Sequence, residues 1–254
     1  MPTTKRPERS REKPQRIADE LRALIVSGAL AEGDSLGHEP DLVERFGVSR
    51  PSLREALRIL EAEGLVTVVR GVRGGVVVHA PSERMTARTA ALVLQARNVS
   101  LADVFEARSL IEPIAARAIA ASATVRGRRA AVKELRLLIA EEARTIEDPE
   151  QFGVANAAFH QRLVALGGNQ TLAIVAEMLN EVVVRAVAAV SGADSVSSIG
   201  TRRRGIRSQE LLLDFIEVGD GGGAEEYWRS HMQVVGRVLL GQRAATVVDL
   251  LHHH

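Results

Sequence analysis

The 254-residue chain contains no cysteine, so disulfide bonds and thiolate metal sites are excluded and a reducing compartment is expected. No apolar run approaches the roughly 20 residues that a membrane-spanning helix needs. The N-terminal residues MPTTKRPERSREKP also lack the apolar core of a secretion signal. We therefore expect a soluble cytoplasmic protein with no membrane partner.

Aromatic residues make up only 3% of the chain, which argues against recognition of a large flat ligand by stacking but leaves an aliphatic acyl chain possible. The formal net charge is only +1, yet it is unevenly distributed. Residues 1–16 hold six Lys or Arg against two Glu, residues 45–73 hold six against three, and residues 81–254 hold twenty of each sign. The positive charge is therefore concentrated where nucleic acid would bind.

Residues 39–64 carry the pattern of two short helices separated by a glycine turn. Apolar residues at helical spacing mark the buried side of the first helix: Leu42, Val43 and Phe46. Gly47 ends that pattern, and Ser49 is a favourable N-cap for a second helix with Pro51 in its first turn. The buried side of this second helix carries Leu53, Ala56, Leu57 and Leu60. The pattern predicts a helix-turn-helix.

The opposite side of the second helix is basic. Arg50, Arg54 and Arg58 recur every four residues and form a stripe that suits a DNA major groove. Valine-rich runs at residues 65–69 and 76–78 then flank a glycine-rich turn, which predicts a hairpin with arginines at its tip. With a first helix over about residues 15–27, these elements predict a winged helix-turn-helix of three helices and a β-hairpin wing.

These residues closely resemble the N-terminal domain of the GntR superfamily of bacterial transcription regulators, through EPDLVERFGVSRPSLREALRILEAEGLV and the RGVRGG wing. The resemblance runs from about residue 16 to residue 78. It implies that Ser49, Arg50 and Arg54 contact bases or phosphates and that Gly71 is the wing tip. The predicted set of DNA-contacting residues is Arg45, Ser49, Arg50, Ser52, Arg54, Arg70, Gly71 and Arg73. Pro40 stands where some members carry an arginine that joins these contacts, whereas Arg58 is expected to be solvated.

Beyond residue 82 the period is helical throughout, at residues 83–96, 101–122, 126–147, 150–166, 170–190, 202–218 and 223–240. The predicted organisation is a flexible basic arm at residues 1–14, the winged domain at 15–79, a linker at 80–84, an all-helical domain at 85–242 and a tail at 243–254. The final His252–His254 look like the remnant of a purification tag. The fold class is therefore mostly α.

The helical half resembles the FCD domain of the FadR-type branch of the superfamily, through DVFEARSLIEPIAARAIA, NAAFHQRLVALGGN and EVGDGGGAEEYWRSHM. The resemblance implies an antiparallel helical bundle with a central effector pocket. Periodicity independently places five polar side chains on apolar helix faces: Arg108, Asn156, His160, Gln209 and His231. Burial of such groups costs free energy unless they meet each other, water, a metal or a ligand. These five are the predicted effector-binding residues.

The resemblance further implies a divalent metal held by one Asp and three His, at the positions of Asn156, His160, Gln209 and His231. Only His160 and His231 retain a metal-binding side chain, and amide oxygens bind zinc or nickel far more weakly. A metal-free, hydrogen-bonded pocket is therefore favoured and no cofactor is assigned, with zinc or nickel bound by His160 and His231 as the alternative. Arg108 is equally compatible with a carboxylate effector and with an ion pair to Glu112.

The remaining charged clusters are expected to be solvated surface: Glu141 with Glu142, Glu225 with Glu226, and Arg202, Arg203, Arg204 and Arg207. The sequence as a whole predicts a ligand-responsive repressor that binds double-stranded DNA as a homodimer and is not an enzyme. The effector class expected is a small organic acid or acyl derivative. Two alternatives remain, an architectural DNA-binding protein without an effector and a metal-dependent enzyme; no nucleophile motif or phosphate loop supports the latter.

Overall fold

The computed structural model describes residues 9–69, 71, 74–81, 83–190 and 199–240. The chain divides into two compact units, Met1–Met85 and Thr86–His254. The described part of each unit contains the elements that the sequence predicts, three helices with a two-stranded hairpin followed by further helices. The predicted fold class, mostly α with a winged N-terminal unit, is confirmed.

The first unit contains helices α1 (Arg9–Val26), α2 (Glu39–Phe46) and α3 (Arg50–Ala62) and the antiparallel strands β1 (Val66–Val69) and β2 (Gly75–Val78). Val66 pairs with Val78 and Val69 with Gly75 across the hairpin. One apolar core joins the three helices to the sheet through side chains that include Leu21, Leu42, Leu53, Leu60 and Val78. The turn between α2 and α3 is therefore held against a packed core.

Helix α1 begins at Arg9, six residues before its predicted start at residue 15. Residues 9–14 are therefore helical and not part of a flexible arm, and residues 1–8 lie outside the described part of the chain. Arg, Glu and Lys are good helix formers, and the helix continues through Pro14, whose nitrogen has no hydrogen to donate to the carbonyl of Ser10.

The second unit contains seven described helices: α4 (Glu83–Ala96), α5 (Leu101–Ala120), α6 (Val125–Arg144), α7 (Pro149–Leu166), α8 (Gln170–Val190), α9 (Ile199–Val218) and α10 (Gly221–Leu240). Each begins and ends within three residues of its predicted position. Local caps explain this agreement, since Ser100, Thr124 and Asp148 each accept a hydrogen bond from a backbone amide in the first turn of the helix that follows.

The main core of the second unit lies between α5, α6, α7, α9 and α10, with Phe159, Leu163, Leu212, Leu213 and Trp228 fully buried. A second cluster, around Phe105 and Val182, joins α5 to α8. Pro113 lies inside α5, and the helix continues through it to Ala120. Within the described residues, none of the helices combines the length and the apolarity that a bilayer span requires.

Candidate nucleic-acid interface and buried polar clusters

The basic side of α3 is open to solvent. Arg50, Arg54 and Arg58 are exposed, whereas Leu53 and Leu57 on the opposite side are buried. Because the buried side is packed against α1 and the hairpin, α3 cannot rotate to hide its arginines. The first unit therefore presents a rigid cationic helix face at its surface.

The start of α3 is organised by two serines. The Ser49 side chain accepts a hydrogen bond from the Ser52 amide, and the two hydroxyl oxygens lie 2.9 Å apart. Gly47, at the C-cap of α2, adopts the left-handed conformation with φ 58°, which allows the sharp turn between the two helices. Ser49 and Ser52, the two serines predicted to contact DNA, thus lie at the exposed N-terminal end of α3.

Arg54 forms an ion pair across the turn. Its Nε donates to Oε1 of Glu39 at 2.6 Å, joining α3 to the first residue of α2. The Arg54 side chain remains 63% exposed, while that of Glu39 is 29% exposed. Arg58 makes a longer contact, with Glu55 of its own helix at 3.4 Å.

The other predicted contact residues lie at the edges of this face. Arg45 is exposed at the end of α2, with its guanidinium carbon 5.6 Å from the centre of the Phe46 ring. Gly71 is exposed beyond β1, with φ 112°, a conformation that favours glycine. Arg70 and Arg73 lie outside the described residues.

A buried carboxylate, Glu112, is the centre of the first polar cluster in the second unit. Nε and Nη2 of Arg108 both lie 2.9 Å from Oε1 of Glu112, and Nε1 of Trp228 donates to Oε2 at 2.9 Å. Nδ1 of His160 lies 2.7 Å from the same Oε2. The ion pair between Arg108 and Glu112, one of the two expected arrangements, is thus present. We refer to Arg108, Glu112, His160, Trp228 and His231 as the Glu112 cluster.

The electrostatics of the Glu112 cluster favour an ionised carboxylate. Burial opposes the charged form of Glu112, but His160, Arg108 and the hydrogen bonds from His160 and Trp228 lower its pKa to about 2. Burial lowers the pKa of His160. Burial, with His160 nearby, also lowers the pKa of His231 to about 4. The His231 ring stacks on Trp228 with ring centres 4.5 Å apart.

A second buried carboxylate, Glu142, was expected to be surface and is instead fully buried. Nε2 of Gln209 donates to its Oε1 at 2.8 Å, and Nδ2 of Asn156 donates to its Oε2 at 3.2 Å. No cation faces this carboxylate among the described residues, and burial raises the pKa of Glu142 to about 7. We refer to Glu142, Asn156 and Gln209 as the Glu142 cluster.

The structure thus divides the five predicted effector residues between two carboxylates. Arg108 and His160 are hydrogen-bonded to Glu112, and His231 stacks on Trp228. Asn156 and Gln209 are hydrogen-bonded to Glu142. Oε1 of Gln209 is buried without a hydrogen-bond partner among the described residues.

Arg202 also differs from expectation, because it is buried and not solvated. Its Nη1 donates to the Ile146 carbonyl at 2.6 Å, and its guanidinium carbon lies 5.5 Å from the centre of the Phe152 ring. The start of α9 is therefore anchored to the loop between α6 and α7. Arg203 and Arg204, by contrast, are exposed.

The described residues do not form a metal site of the expected kind. None of them make a group of three or more His, Cys, Asp or Glu side chains that could hold a metal ion together. His160 is engaged by Glu112, and the amides of Asn156 and Gln209 present hydrogens to Glu142. Two imidazoles, one of them already hydrogen-bonded to Glu112, with neutral amides at the other two positions, do not match the ligand preferences of zinc or nickel.

Two open grooves lie on the second unit. One, of about 440 Å³, lies between α6 and α9, and the other, of about 390 Å³, lies beside α5, α6 and the end of α7. Neither is lined by any of the five predicted effector residues.

Comparison with known families identifies both units. The pattern described as "Bacterial regulatory proteins, gntR family" matches residues 13–78, and the FCD domain pattern matches residues 103–234, about half of the chain. The chain belongs to the GntR family and carries an FCD domain. Its two domains are those of GntR-family DNA-binding transcription regulators.

Individual relatives agree with this GntR-family assignment. The HTH-type transcriptional regulator Rv0494 of Mycobacterium tuberculosis is 38% identical over 112 residues, which are 43% of this chain and 45% of that protein. An Escherichia coli protein provisionally named for regulation of an L-lactate dehydrogenase operon is 28% identical over 230 residues, 86% of this chain and 83% of that protein. This chain therefore spans less than half of the mycobacterial relative and most of the Escherichia coli one.

A solved structure shares the fold of this GntR-family chain. The Streptococcus agalactiae GntR structure superposes with a TM-score of 0.67 at 21% identity, covering 88% of this chain and 99% of that one.

Sequence reasoning named Glu112 as a possible partner of Arg108 but missed Glu142, the second carboxylate that organises the polar interior. A signal for Glu142 was present, because it follows Leu135 by seven residues and Ile139 by three and so lies on the buried face of α6. Its acidic neighbour Glu141, which is bonded to the exposed Arg144, concealed that signal.

Proposed function

We propose that this GntR-family protein is a repressor that binds a short inverted-repeat operator as a homodimer in the cytoplasm and responds to a small-molecule effector. The observation that carries this proposal is the exposed arginine face of α3, which is backed by a packed core. A helix of this kind, following a tight turn, is the element that enters the major groove in helix-turn-helix proteins.

The proposed DNA contacts have separate tasks. Arg50 and Arg54 read base edges, Ser49, Ser52 and Arg45 bind backbone phosphates, and the wing around Gly71, with Arg70 and Arg73, follows the adjacent backbone. Guanidinium groups recognise guanine through two parallel hydrogen bonds, whereas hydroxyl and phosphate contacts fix the register. A twofold homodimer would place two such faces on two half-sites.

We propose that the effector is a small organic acid or acyl derivative bound at the Glu112 cluster. Nη1 of Arg108 makes no hydrogen bond with the described residues and is directed away from Glu112 Oε1, so it is the donor available to a carboxylate. The name of the Escherichia coli relative supports this class, because lactate is a small hydroxy acid. No metal is needed in this proposal.

Control would operate by a shift between two arrangements of the dimer. The effector must bind one arrangement more tightly than the other, because a ligand with equal affinity for both changes nothing. Displacement of Glu112 from Arg108 by the effector carboxylate is one such difference, since it would free a buried charge between α5, α7 and α10.

One observation favours an effector-independent architectural protein instead. Neither of the grooves of about 440 and 390 Å³ is lined by any of the five predicted effector residues. The two functions differ in whether any small carboxylate stabilises the protein.

Replacement of Arg54 by Ala tests the DNA-binding part. The probes are a duplex selected by the wild-type protein from a random-sequence pool and an unrelated duplex of equal length. If Arg54 contacts guanine, the variant loses about 1 to 3 kcal/mol of binding to the selected duplex only. If Arg54 contacts phosphate alone, affinity for both duplexes falls equally. The slope of log affinity against log salt concentration then decreases in magnitude by about one.

The control for this experiment is Arg203→Ala, which removes an exposed arginine from the second unit. We expect it to leave both affinities unchanged. Wild-type affinity of the Arg54→Ala variant for the selected duplex would contradict the proposed role of α3.

A further inference from the structure

The pair formed by Glu39 and Arg54 lies in the middle of the exposed basic face. Glu39 is the first residue of α2, and its carboxylate accepts the Nε hydrogen of Arg54, fifteen residues later, at 2.6 Å. No other described residue accepts a hydrogen bond from Arg54. A carboxylate at a surface that must approach phosphates weakens DNA binding in general. Its position therefore calls for a function that offsets this repulsion.

We propose that Glu39 is a positioning residue that determines sequence specificity by orienting the Arg54 guanidinium toward one base. This inference rests on the proposed function of α3 as the recognition helix. The guanidinium is planar, and its hydrogen-bond donors are carried by Nε and by the two terminal Nη groups. A hydrogen bond at Nε fixes the plane while leaving both Nη groups available for the two acceptors of guanine, O6 and N7.

The arrangement separates affinity from specificity. The negative charge of Glu39 repels every DNA sequence equally, whereas a fixed guanidinium favours only the sequence that offers two acceptors in the matching plane. A free Arg54 would reach phosphates and several bases and would discriminate less. The residue that follows Glu39 is Pro40, so the adjacent side chain brings no positive charge to compete for the carboxylate.

A second acidic residue on the same surface provides a matched control. Glu55 contacts Arg58 at 3.4 Å, both residues belong to α3, and both side chains are more than half exposed. Glu55 therefore brings the same charge to this face without holding a base-reading arginine from another helix.

The experiment compares Glu39→Ala, Glu39→Gln and Glu55→Ala in the full chain. Fluorescence anisotropy at one salt concentration measures affinity for the selected duplex and for the unrelated duplex, and their ratio is the specificity. Both Glu39 variants lose the charge and should bind the unrelated duplex more tightly. Glu39→Ala should lower the ratio about tenfold, because the guanidinium is no longer held. Glu39→Gln keeps a neutral acceptor of equal reach and should stay within about threefold of wild type.

We expect Glu55→Ala to leave the ratio unchanged. Equal ratios in wild type and Glu39→Ala would overturn the inference, as would equal losses in the Ala and Gln variants, since charge alone would then explain the effect. Thermal unfolding reports whether the Ala variant folds. If Glu39→Ala does not fold, Glu39→Asp replaces it in the comparison. Asp keeps the negative charge but is one methylene shorter than Glu and cannot hold Arg54 in the same way. The inference then requires that Glu39→Asp lower the specificity ratio.

The outcome is distinguishable from failure of the proposed function. If Arg54→Ala loses discrimination but the Glu39 variants do not, only the positioning role is overturned. If Arg54→Ala itself binds the selected duplex as wild type does, α3 does not read DNA through this arginine.

Discussion

Two buried carboxylates in the FCD domain lie in opposite electrostatic surroundings. Glu112 meets a guanidinium, an imidazole and an indole N–H, so its charged form is stabilised. Among the described residues, two amide groups bond to the Glu142 carboxylate and no cation does, so burial dominates and raises its pKa to about 7. Side chains of the same type thus differ in charge near neutral pH because their neighbours differ.

Glu142 should make the protein less stable as the pH rises. The folded-state pKa of about 7 exceeds the ordinary value of 4.5, so the folded protein binds more protons than the unfolded chain between these values. The stabilisation is fully present below pH 4.5 and is lost as the pH rises through 7. Relative to Glu142→Gln, wild type should lose about 3 kcal/mol of unfolding free energy over this window.

Urea unfolding of both proteins from pH 4.5 to 8 measures this difference. The pKa values of His160 and His231 are lowered, so they contribute with the opposite sign, but they titrate in both proteins and cancel. A wild-type stability that runs parallel to that of Glu142→Gln would show that Glu142 stays ionised or exposed.

Residue identity alone predicted part of this interior. The alternation of apolar residues around Arg108 and His160 indicated that both are buried, which is confirmed. The partner of each could not be predicted from spacing, except for Glu112, which lies one helical turn after Arg108. Glu142 was assigned to the surface because two adjacent acidic residues resemble a solvated pair, although only Glu141 is one.

At the scale of elements, the helix-turn-helix depends on a single backbone conformation. Gly47 has φ 58° and ψ 40°, and its amide bonds back to the Val43 and Glu44 carbonyls at the end of α2. A side chain at this position would meet no neighbour within 4 Å. Any cost of substitution is therefore conformational and not steric.

Gly47→Ala should destabilise the winged unit by about 1 kcal/mol, because alanine disfavours the left-handed region. Gly205→Ala is the matched control, since Gly205 lies inside α9 and a Cβ there also meets nothing within 4 Å. That change should instead stabilise by about 0.5 to 1 kcal/mol, because glycine weakens a helix interior. Denaturant unfolding measures both, and a neutral or stabilising Gly47→Ala would contradict the turn assignment.

Most elements were predictable because their signals are local. Caps such as Ser49, Ser100 and Asp148 act within one turn of the helix that they begin. The predicted start of α1 was wrong. Pro14 is usually a helix-breaking signal, and the residues before it were interpreted as a mobile arm although they are good helix formers.

At the scale of the whole molecule, DNA recognition and the buried polar clusters belong to separate units. The exposed arginines of α3 lie in the first unit, and both carboxylate clusters lie in the second. Regulation would require a ligand to change the second unit, and a ligand of this kind must stabilise the folded protein.

A thermal-shift screen should show stabilisation by small carboxylates or acyl derivatives and none by zinc or nickel. A ligand at about 100 times its dissociation constant adds about 2.7 kcal/mol to folding stability. Arg108→Lys keeps the charge but loses the planar fork, so its ligand-induced shift should be smaller than that of wild type. Arg203→Lys, at an exposed position of α9, should respond as wild type does.

Each variant is compared with its own unliganded melting temperature, so that lost stability is not counted as lost binding. Equal shifts in Arg108→Lys and wild type would remove Arg108 from the effector site. Stabilisation by zinc or nickel in wild type but not in His160→Ala would establish a metal site in place of the metal-free cluster. A chain that no small carboxylate stabilises would favour the architectural alternative.

The sequence by itself determined the winged helix-turn-helix, the order of the helices and the exposed arginine face of α3, because periodicity and capping act within a few residues. Only the tertiary structure decided which charges meet. Glu112 and His160 are 48 positions apart, and Glu142 and Gln209 are 67 apart. Such pairs form only when distant helices pack, and the spacing of residues along one helix does not specify the partner on another.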